Sequence, residues 1–388
     1  MEPPQHVSQA TSPATQSPAI MSAPRPHPQA ILDLVAYNRA DFELPVVSVH
    51  RSQHDAVRSS LFRPLGQAAD FDLGTLSRLP FEILSLISLE LDAASALRFS
   101  HVNRSAREVL AAVREFRELR DHALEAFCVL LRTGLGQHVT ALDLHKALTT
   151  ERCELCGVFG GFVFLPTAAR VCMTCVASAP ETRVTHLSRV ADGAGVPSNE
   201  LVRGGNLPVL HTLPDSRKRI VAVRPHALNA LQARGMSEEE TEAVVDRWSD
   251  SLTLRFQAAT ALPFLDRYGR QAQPGMSCKG CQIAFEKSFS DDHLEMRDRF
   301  YSKQEFLQHV EECEPAQKLL AAAQDGSGIV EEPRFGTCVT VTSPAGTDSP
   351  SADPTAQGRT LIGCFTELLS ASRRLRTPMG ALNRHPRS

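Results

Sequence analysis

The chain has 388 residues, of which 42% are hydrophobic and 22% charged, and its formal net charge at pH 7 is −3. This length accommodates two or three domains, and the composition is typical of globular proteins. The charge gives no electrostatic reason to expect a nucleic-acid partner. Met1–Ala30 lacks the apolar core of a signal peptide, and no apolar run is long enough to span a membrane. We therefore expect a cytoplasmic or nuclear protein, or one present in both, whose cysteines stay reduced.

Both ends of the chain are rich in Pro, Ser and Thr and poor in large apolar residues. Residues 1 to about 30 and Asp325 to about Thr360 cannot bury enough apolar surface to offset the entropy lost on ordering. We expect both segments to be disordered. A short helix at Leu361–Leu369 and a basic segment at Arg373–Arg376 are expected after the second one.

The ordered part is expected to run from about Leu73 to Ala323 and to begin with helices. Pro80 fits the first turn of a helix, where a missing N–H costs nothing. Ile83 and Ile87 follow at a spacing of one helical turn, which predicts an apolar stripe.

Further helices and one strand are predicted along the chain. Asp92 and Asn103 are good N-cap residues for a second and a third short helix. Apolar residues between Val109 and Leu130 recur at helical spacing and predict one longer amphipathic helix. Val221–Val223 is a candidate strand, and Ser237 begins a helix with a capping box. The surrounding residues mix helix, strand and turn signals and predict no particular fold.

Two Cys-x2-Cys pairs, separated by fifteen residues, form the first cysteine group: Cys153, Cys156, Cys172 and Cys175. Each pair on a tight turn directs two thiolates at one point, and the spacer Phe159–Pro166 is typical of an extended segment. Four thiolates leave no open coordination position, so the group predicts a structural zinc site. The alternatives are redox pairs or buried free thiols. A thioredoxin-type site, however, needs only one pair and a βαβ unit that the sequence does not indicate.

The second group combines a third Cys-x2-Cys pair with two candidate ligands after a gap of 27 residues: Cys278, Cys281, His309 and Cys313. A helix capped by Ser302, with Glu305 completing a capping box, places the last two ligands on one face. This arrangement predicts a second zinc site, with a chance arrangement around a core histidine as the alternative. Cys128 is expected in the core, and Cys338 and Cys364 in disordered chain.

The stretch Leu79-Pro80-x-Glu82-Ile83-Leu84-x-x-Ile87, continuing through Asp92, Leu97 and Val102-Asn103-Arg104, resembles an F-box. The segments Cys153–Cys175 and Tyr301–Cys313 are similar to segments of fungal F-box proteins with zinc-binding Cys-x2-Cys pairs. The resemblance covers about residues 75–176 and 276–320. It implies that the chain docks on the Skp-type adaptor of a cullin–RING ubiquitin ligase through five residues: Leu79, Pro80, Ile83, Leu84 and Ile87. A stripe that packs only in the helical core is the alternative.

Together, these observations predict a mainly α protein with small zinc-stapled β/α modules, an N-terminal helical F-box and disordered tails. The expected boundaries are a mostly disordered leader at 1–72, the F-box at 73–116, a helical linker at 117–152, a four-cysteine zinc segment at 153–176, an undetermined mixed region at 177–275, a zinc segment with three cysteines and one histidine at 276–323 and a mostly disordered tail at 324–388. The expected function is that of a non-catalytic substrate receptor with two structural Zn²⁺ ions. It would bind the adaptor and, through it, cullin and RING subunits, and would present an unknown protein substrate without contacting a membrane.

Two other functions fit parts of the pattern. A zinc-finger regulator would bind nucleic acid, or a protein partner outside a ligase. Nucleic acid is disfavoured because the helix that carries His309 and Cys313 offers no cation at five outward positions. These positions are Gln304, Glu305, Gln308, Glu311 and Glu312. A single-chain RING ligase ranks below both, since a RING domain interleaves its two sites within one short stretch.

Overall fold

A computed structural model describes residues 27–37, 46–49, 73–204, 207–213, 219–247, 251–268 and 271–324, with residues 55, 57, 332 and 333 beside them. This part of the chain is mostly helical and contains small sheets, as the sequence predicts. The expected helix at Leu361–Leu369, the basic segment after it, and Cys338 and Cys364 lie outside the described residues.

Three short helices follow a 3-10 turn at Gly74–Arg78: α2 at Phe81–Glu90, α3 at Ala93–Ser100 and α4 at Arg104–Ala112 (α1 lies at Pro28–Val35). The two predicted N-caps are confirmed. The Asp92 carboxylate accepts a hydrogen bond from the Ser95 N–H at 2.8 Å, and the Asn103 side chain accepts one from the Ala106 N–H at 2.8 Å. Pro80 is predicted in the first turn of the helix. It is instead the N-cap of α2, directly before that turn.

The prediction of a single long helix over Val109–Leu130 is wrong. The backbone leaves helical geometry at Val113 and again at Ala123, which separates α4 from α5 at Arg114–His122 and α5 from α6 at Leu124–Thr133. Both breakpoints are 3% exposed. The breaks let each short helix turn its own apolar face into one core, so tertiary packing overrides the continuous local periodicity. The next helix, α7 at Ala141–Thr149, packs against α5.

The first cysteine group belongs to a small antiparallel sheet. Strands β2 at Phe162–Phe164 and β3 at Ala169–Val171 pair with each other, and helix α8 at Met173–Ser178 follows them. The other edge of β2 pairs with β7 at Ala259–Ala261, nearly a hundred residues further along the chain. The core that covers this sheet includes Val46, Val47 and Val49 from the expected leader.

The middle region, for which the sequence predicts no fold, contains a second three-stranded sheet. This sheet contributes to the main core on one side and, through Ala222, to a separate apolar cluster with the surrounding helices. The predicted strand at Val221–Val223 is confirmed as part of the central strand of that sheet, and the Ser237 capping box is confirmed. The elements in chain order are β4 at Val184–His186, α9 at Leu187–Ala194, α10 at Ser198–Gly204, β5 at Leu210–His211, β6 at Ile220–Val223, α11 at Arg224–Gln232, α12 at Glu238–Asp246 and α13 at Leu252–Phe256, before β7.

The second cysteine group lies in a C-terminal helical module. After the hairpin of β8 at Phe264–Leu265 and β9 at Ala272–Gln273, the module consists of β10 at Ser277–Cys278, α14 at Lys279–Ser288, α15 at Asp291–Arg297, α16 at Lys303–Glu312 and α17 at Glu314–Gln324. The Ser302–Glu305 capping box at the start of α16 is confirmed.

Part of the leader at 1–72, which is expected to be mostly disordered, is ordered: residues 28–37 form a helix and a strand, and the valines between 46 and 49 are buried. Helix α1 at Pro28–Val35 packs on α16 and α17, and β1 at Ala36–Tyr37 pairs antiparallel with β10. Leu32 and Val35 are buried in the same apolar cluster as Cys278. The Tyr37 hydroxyl and the Gln282 side-chain oxygen lie 3.0 Å apart. A segment near the chain's N-terminus, α1 with β1, therefore completes a module near the C-terminus. Local composition cannot reveal such a distant contact.

Removal of residues 1–37 should destabilise the C-terminal module, whereas removal of residues 1–26 should not. Each buried large apolar side chain contributes on the order of 2 kcal/mol, and the longer deletion removes both Leu32 and Val35. Hydrogen exchange over α14 and α16 measures the effect. Equal amide protection in the two truncated proteins would contradict the packing of α1.

Candidate metal centres

The first centre is built by a tight turn and the start of a helix. The Gly157 N–H donates to the Cys153 carbonyl at 2.8 Å, and Gly157 has a φ of +78°, a conformation that favours glycine. This turn brings Cys153 and Cys156 together. Cys172 is the N-cap of α8, and its sulfur accepts a hydrogen bond from the Cys175 N–H at 3.4 Å. The four cysteine sulfurs lie within 4.8 Å of one another.

Sulfur atoms from both pairs of the first centre lie at coordination spacing. The Cys156 and Cys172 sulfurs are 3.6 Å apart. With metal–sulfur bonds of about 2.3 Å, two sulfurs of a tetrahedral site lie about 3.8 Å apart. A disulfide bond is only about 2.05 Å long, and the cysteines of the described residues form no disulfide. The thiols are therefore placed to share one ion.

The second centre uses a strand end, a helix start and a helix end. Cys278 ends β10, Cys281 lies in the first turn of α14, His309 lies in the last turn of α16, and Cys313 is the C-cap of α16. A Cβ atom at Gly280 would lie 2.5 Å from the Ala316 nitrogen, so only glycine lets α17 approach this turn so closely.

The distances of the second centre also match tetrahedral coordination. The Cys281 sulfur lies 3.6 Å from the Cys313 sulfur and 3.4 Å from His309 Nε2, and the sulfurs of Cys278 and Cys313 are 4.0 Å apart. For metal–nitrogen bonds of about 2.0 Å, a tetrahedral site separates sulfur and nitrogen by about 3.5 Å. The Tyr301 ring stacks on the imidazole with centroids 4.5 Å apart and so fixes its orientation.

Hydrogen bonds among the thiols of the first centre shift their pKa values in opposite directions. Those from Cys172 and Cys175 lower the pKa of Cys153, while the bond to Cys153 raises the pKa of Cys172 to about 12. A thiolate at Cys153 therefore opposes the ionisation of its neighbour Cys172. A divalent cation would deprotonate the coordinating thiols and compensate their charge. Both groups can therefore hold a metal ion, and their four protein ligands leave no coordination position for a substrate.

A buried arginine beside the first centre binds backbone carbonyls of several segments. Arg170 is fully buried, and its guanidinium donates to the Gly160 carbonyl at 2.7 Å and to the Ala147 carbonyl at 3.1 Å. It also donates to the carbonyls of Pro263 and Leu262 at 2.9 and 3.1 Å. Burial lowers its pKa to about 9, so the side chain still carries its charge at neutral pH. Sequence reasoning missed this residue, although Arg170-Val-Cys172 stands directly before a ligand.

The two centres adjoin in space. The Phe162 and Phe300 rings make an edge contact with centroids 5.8 Å apart, and the guanidinium of Arg152 lies 3.3 Å from the Glu305 carboxylate. A Cβ atom at Gly275 would lie 2.7 Å from the Phe159 ring. Segments about a hundred residues apart therefore form one continuous surface. Each centre nevertheless takes its ligands from its own segment.

The residues that the resemblance assigns to adaptor binding are divided between surface and core. Pro80, Ile83 and Ile87 are exposed, Leu79 is half-buried, and Leu84 is buried at 8% exposure. Leu84 therefore packs in the core rather than on the surface. Sequence reasoning missed Phe81 and Leu86, which α2 also exposes, and Val102 in the turn after α3. A helical wheel of Phe81–Glu90 would have placed Leu86 beside Ile83 and Ile87.

Comparisons with models of protein families, with curated proteins and with solved structures found no match. Among the described residues, no helix is both long and apolar enough to cross a bilayer.

Each chain should bind two metal ions, and substitution of one ligand should remove only the ion of its own centre. Cys156→Ala and Cys281→Ala should each lower the metal content to one. Cys128→Ala is the matched control, because Cys128 is buried but lies outside both ligand groups. Elemental analysis and native mass spectrometry measure the content. Two ions in either ligand variant would contradict the assignment.

Arg170→Lys should destabilise the protein by on the order of 3 kcal/mol. A lysine ammonium is a compact donor that cannot reach all four carbonyls, and buried carbonyls left without donors are costly. Arg114→Lys is the control, because the exposed Arg114 makes one ion pair, with the half-buried Glu118, and lysine keeps the charge of that pair. Urea unfolding measures both variants. Equal losses would show that the buried arginine has no special role.

Proposed function

We propose that both centres hold structural Zn²⁺. Soft thiolate ligands with tetrahedral spacing suit zinc or an iron–sulfur site, and a single imidazole beside three thiolates favours zinc. Cys278, Cys281, His309 and Cys313 would hold one ion and the four-cysteine group the other. Structural zinc contributes on the order of 10 kcal/mol to the folding of small modules. The ions would therefore maintain the fold around them and take no part in catalysis.

We further propose that the protein is a non-catalytic F-box subunit of a cullin–RING ubiquitin ligase. The observation that carries this proposal is the exposed apolar side of α2. Ile83, Leu86 and Ile87 are 42%, 60% and 44% exposed, and they lie on the side of the helix away from Leu84 and Ser88, which are buried. Phe81, at the start of the helix, is also exposed, at 46%.

Several large apolar side chains on one short helix favour a partner. Full burial of each such side chain is worth about 1.5–3 kcal/mol relative to leaving it exposed. Contiguous apolar patches on soluble proteins commonly mark interaction sites. The F-box resemblance of the same stretch indicates which partner to test first, the Skp-type adaptor. Catalysis would then belong to the cullin and RING subunits, and the rest of the chain would present a target protein.

The charge of α16 disfavours the alternative of a nucleic-acid reader. Gln304, Gln308, Glu311 and Glu312 are exposed on this helix and Glu305 is half-buried, so Lys303 in the first turn faces an excess of acidic side chains. A helix that enters a DNA groove needs cations toward the phosphates. The second zinc centre therefore supports a role in protein recognition.

Substitution of Ile83 and Ile87 by Ser should abolish co-purification of the adaptor and leave the melting temperature unchanged. Both side chains are exposed, so their removal from α2 alters the surface and not the core. Leu84→Ala should instead lower the free energy of unfolding by about 2–5 kcal/mol, because it leaves a cavity beneath the helix.

Leu142→Ser is the matched control, since Leu142 is 41% exposed on α7 and lies outside the proposed docking side. Affinity purification with quantitative mass spectrometry measures adaptor, cullin and RING subunits together. Unchanged adaptor recovery with the double serine variant would contradict adaptor docking on α2.

A further inference from the structure

A groove of about 610 Å³ runs between the two metal centres. Cys156 and Val158 line it from the first centre, and His309 and Cys313 from the second. Aromatic side chains line its buried side, with Phe159 and Tyr301 almost inaccessible and Phe300 half-buried. The groove thus has the size of a ligand site and combines apolar surface with metal ligands on both sides.

The charge of this groove is negative once both centres are filled. Its four charged rim residues cancel: Arg152, Arg299, Glu305 and Glu312. Four thiolates around a divalent cation leave two negative charges, and three thiolates with a neutral imidazole leave one. These charges stand against low-dielectric aromatic walls, which strengthen their field in the groove. Phosphate groups would be repelled from this groove, and cations would be attracted.

Phe300 and Met296 are half-buried and offer apolar surface to the side chains of Arg and Lys, whereas the rings of Phe159 and Tyr301 are covered by Arg170 and His309. Aromatic faces carry negative potential and attract guanidinium and ammonium groups. The aliphatic stems of these side chains can pack along Phe300 and Met296 while their charged ends approach the thiolates. An uncharged apolar peptide would gain nothing from the negative potential of the groove.

We propose that the groove binds an extended basic segment, rich in Arg or Lys, of a partner protein. In the proposed receptor, this segment would belong to the target that the ligase modifies. The inference rests on the zinc centres of the proposed function and does not require adaptor docking. The chain's own basic segment, Arg373–Arg376, is the competing occupant that the experiment must separate.

The test uses the full zinc-loaded chain and a fluorescent peptide of alternating Arg and Leu, with a matched peptide that has Glu in place of Arg. Fluorescence anisotropy should show binding of the Arg peptide only, and its affinity should fall as salt is raised. Glu312→Arg should weaken binding about tenfold, and Arg299→Glu should strengthen it about tenfold. Glu311→Arg is the matched control, because it makes the same charge change on α16 outside the groove lining.

Equal effects of Glu311→Arg and Glu312→Arg, at unchanged metal content, would overturn the groove and leave only general charge attraction. Equal binding of the two peptides would overturn the basic specificity. Arg-peptide binding that emerges only after residues 370–388 are deleted would show that the chain's own end occupies the groove, against the proposal. Peptide binding in the Ile83→Ser, Ile87→Ser double variant would show that the groove stands even where adaptor docking fails.

Discussion

The guanidinium of Arg170 joins parts of the chain that are far apart in sequence. Its hydrogen bonds reach carbonyls at the end of α7, before β2 and after β7. A buried charge is tolerated only where its donors are satisfied, so these segments are held at fixed separations. Gly160 belongs to the same constraint, because a Cβ atom there would lie 2.7 Å from the arginine side chain. Cys172, two residues after the arginine, is placed by this arrangement.

Both candidate metal centres depend on contacts with segments that are distant in sequence. Small modules bury too little surface to be stable alone, and metal ions or neighbouring chain segments supply the rest. Here the second module gains α1 and β1 from the other end of the sequence, and its Phe300 packs on Phe162 of the first. The groove exists only because these contacts bring the two centres side by side.

The two proposed interaction surfaces differ in physical character. The exposed side of α2 would gain affinity mainly from removal of apolar surface from water. The groove between the centres would select by charge, with zinc–thiolate groups as the source of negative potential. In the proposed receptor, one surface would bind the adaptor and the other the target, and their different chemistry would keep the two interactions independent.

The sequence by itself determined the local features: the Cys and His residues of both candidate centres, the N-caps at Asp92, Asn103 and Ser302, and the mainly helical character. Each depends on residues a few positions apart, within the reach of turn and capping geometry. Tertiary structure alone decided the breaks at Val113 and Ala123, the burial of Leu84, the place of α1 in the C-terminal module and the groove. These features depend on which distant segments meet and how much surface each contact buries. Local spacing carries no record of those contacts.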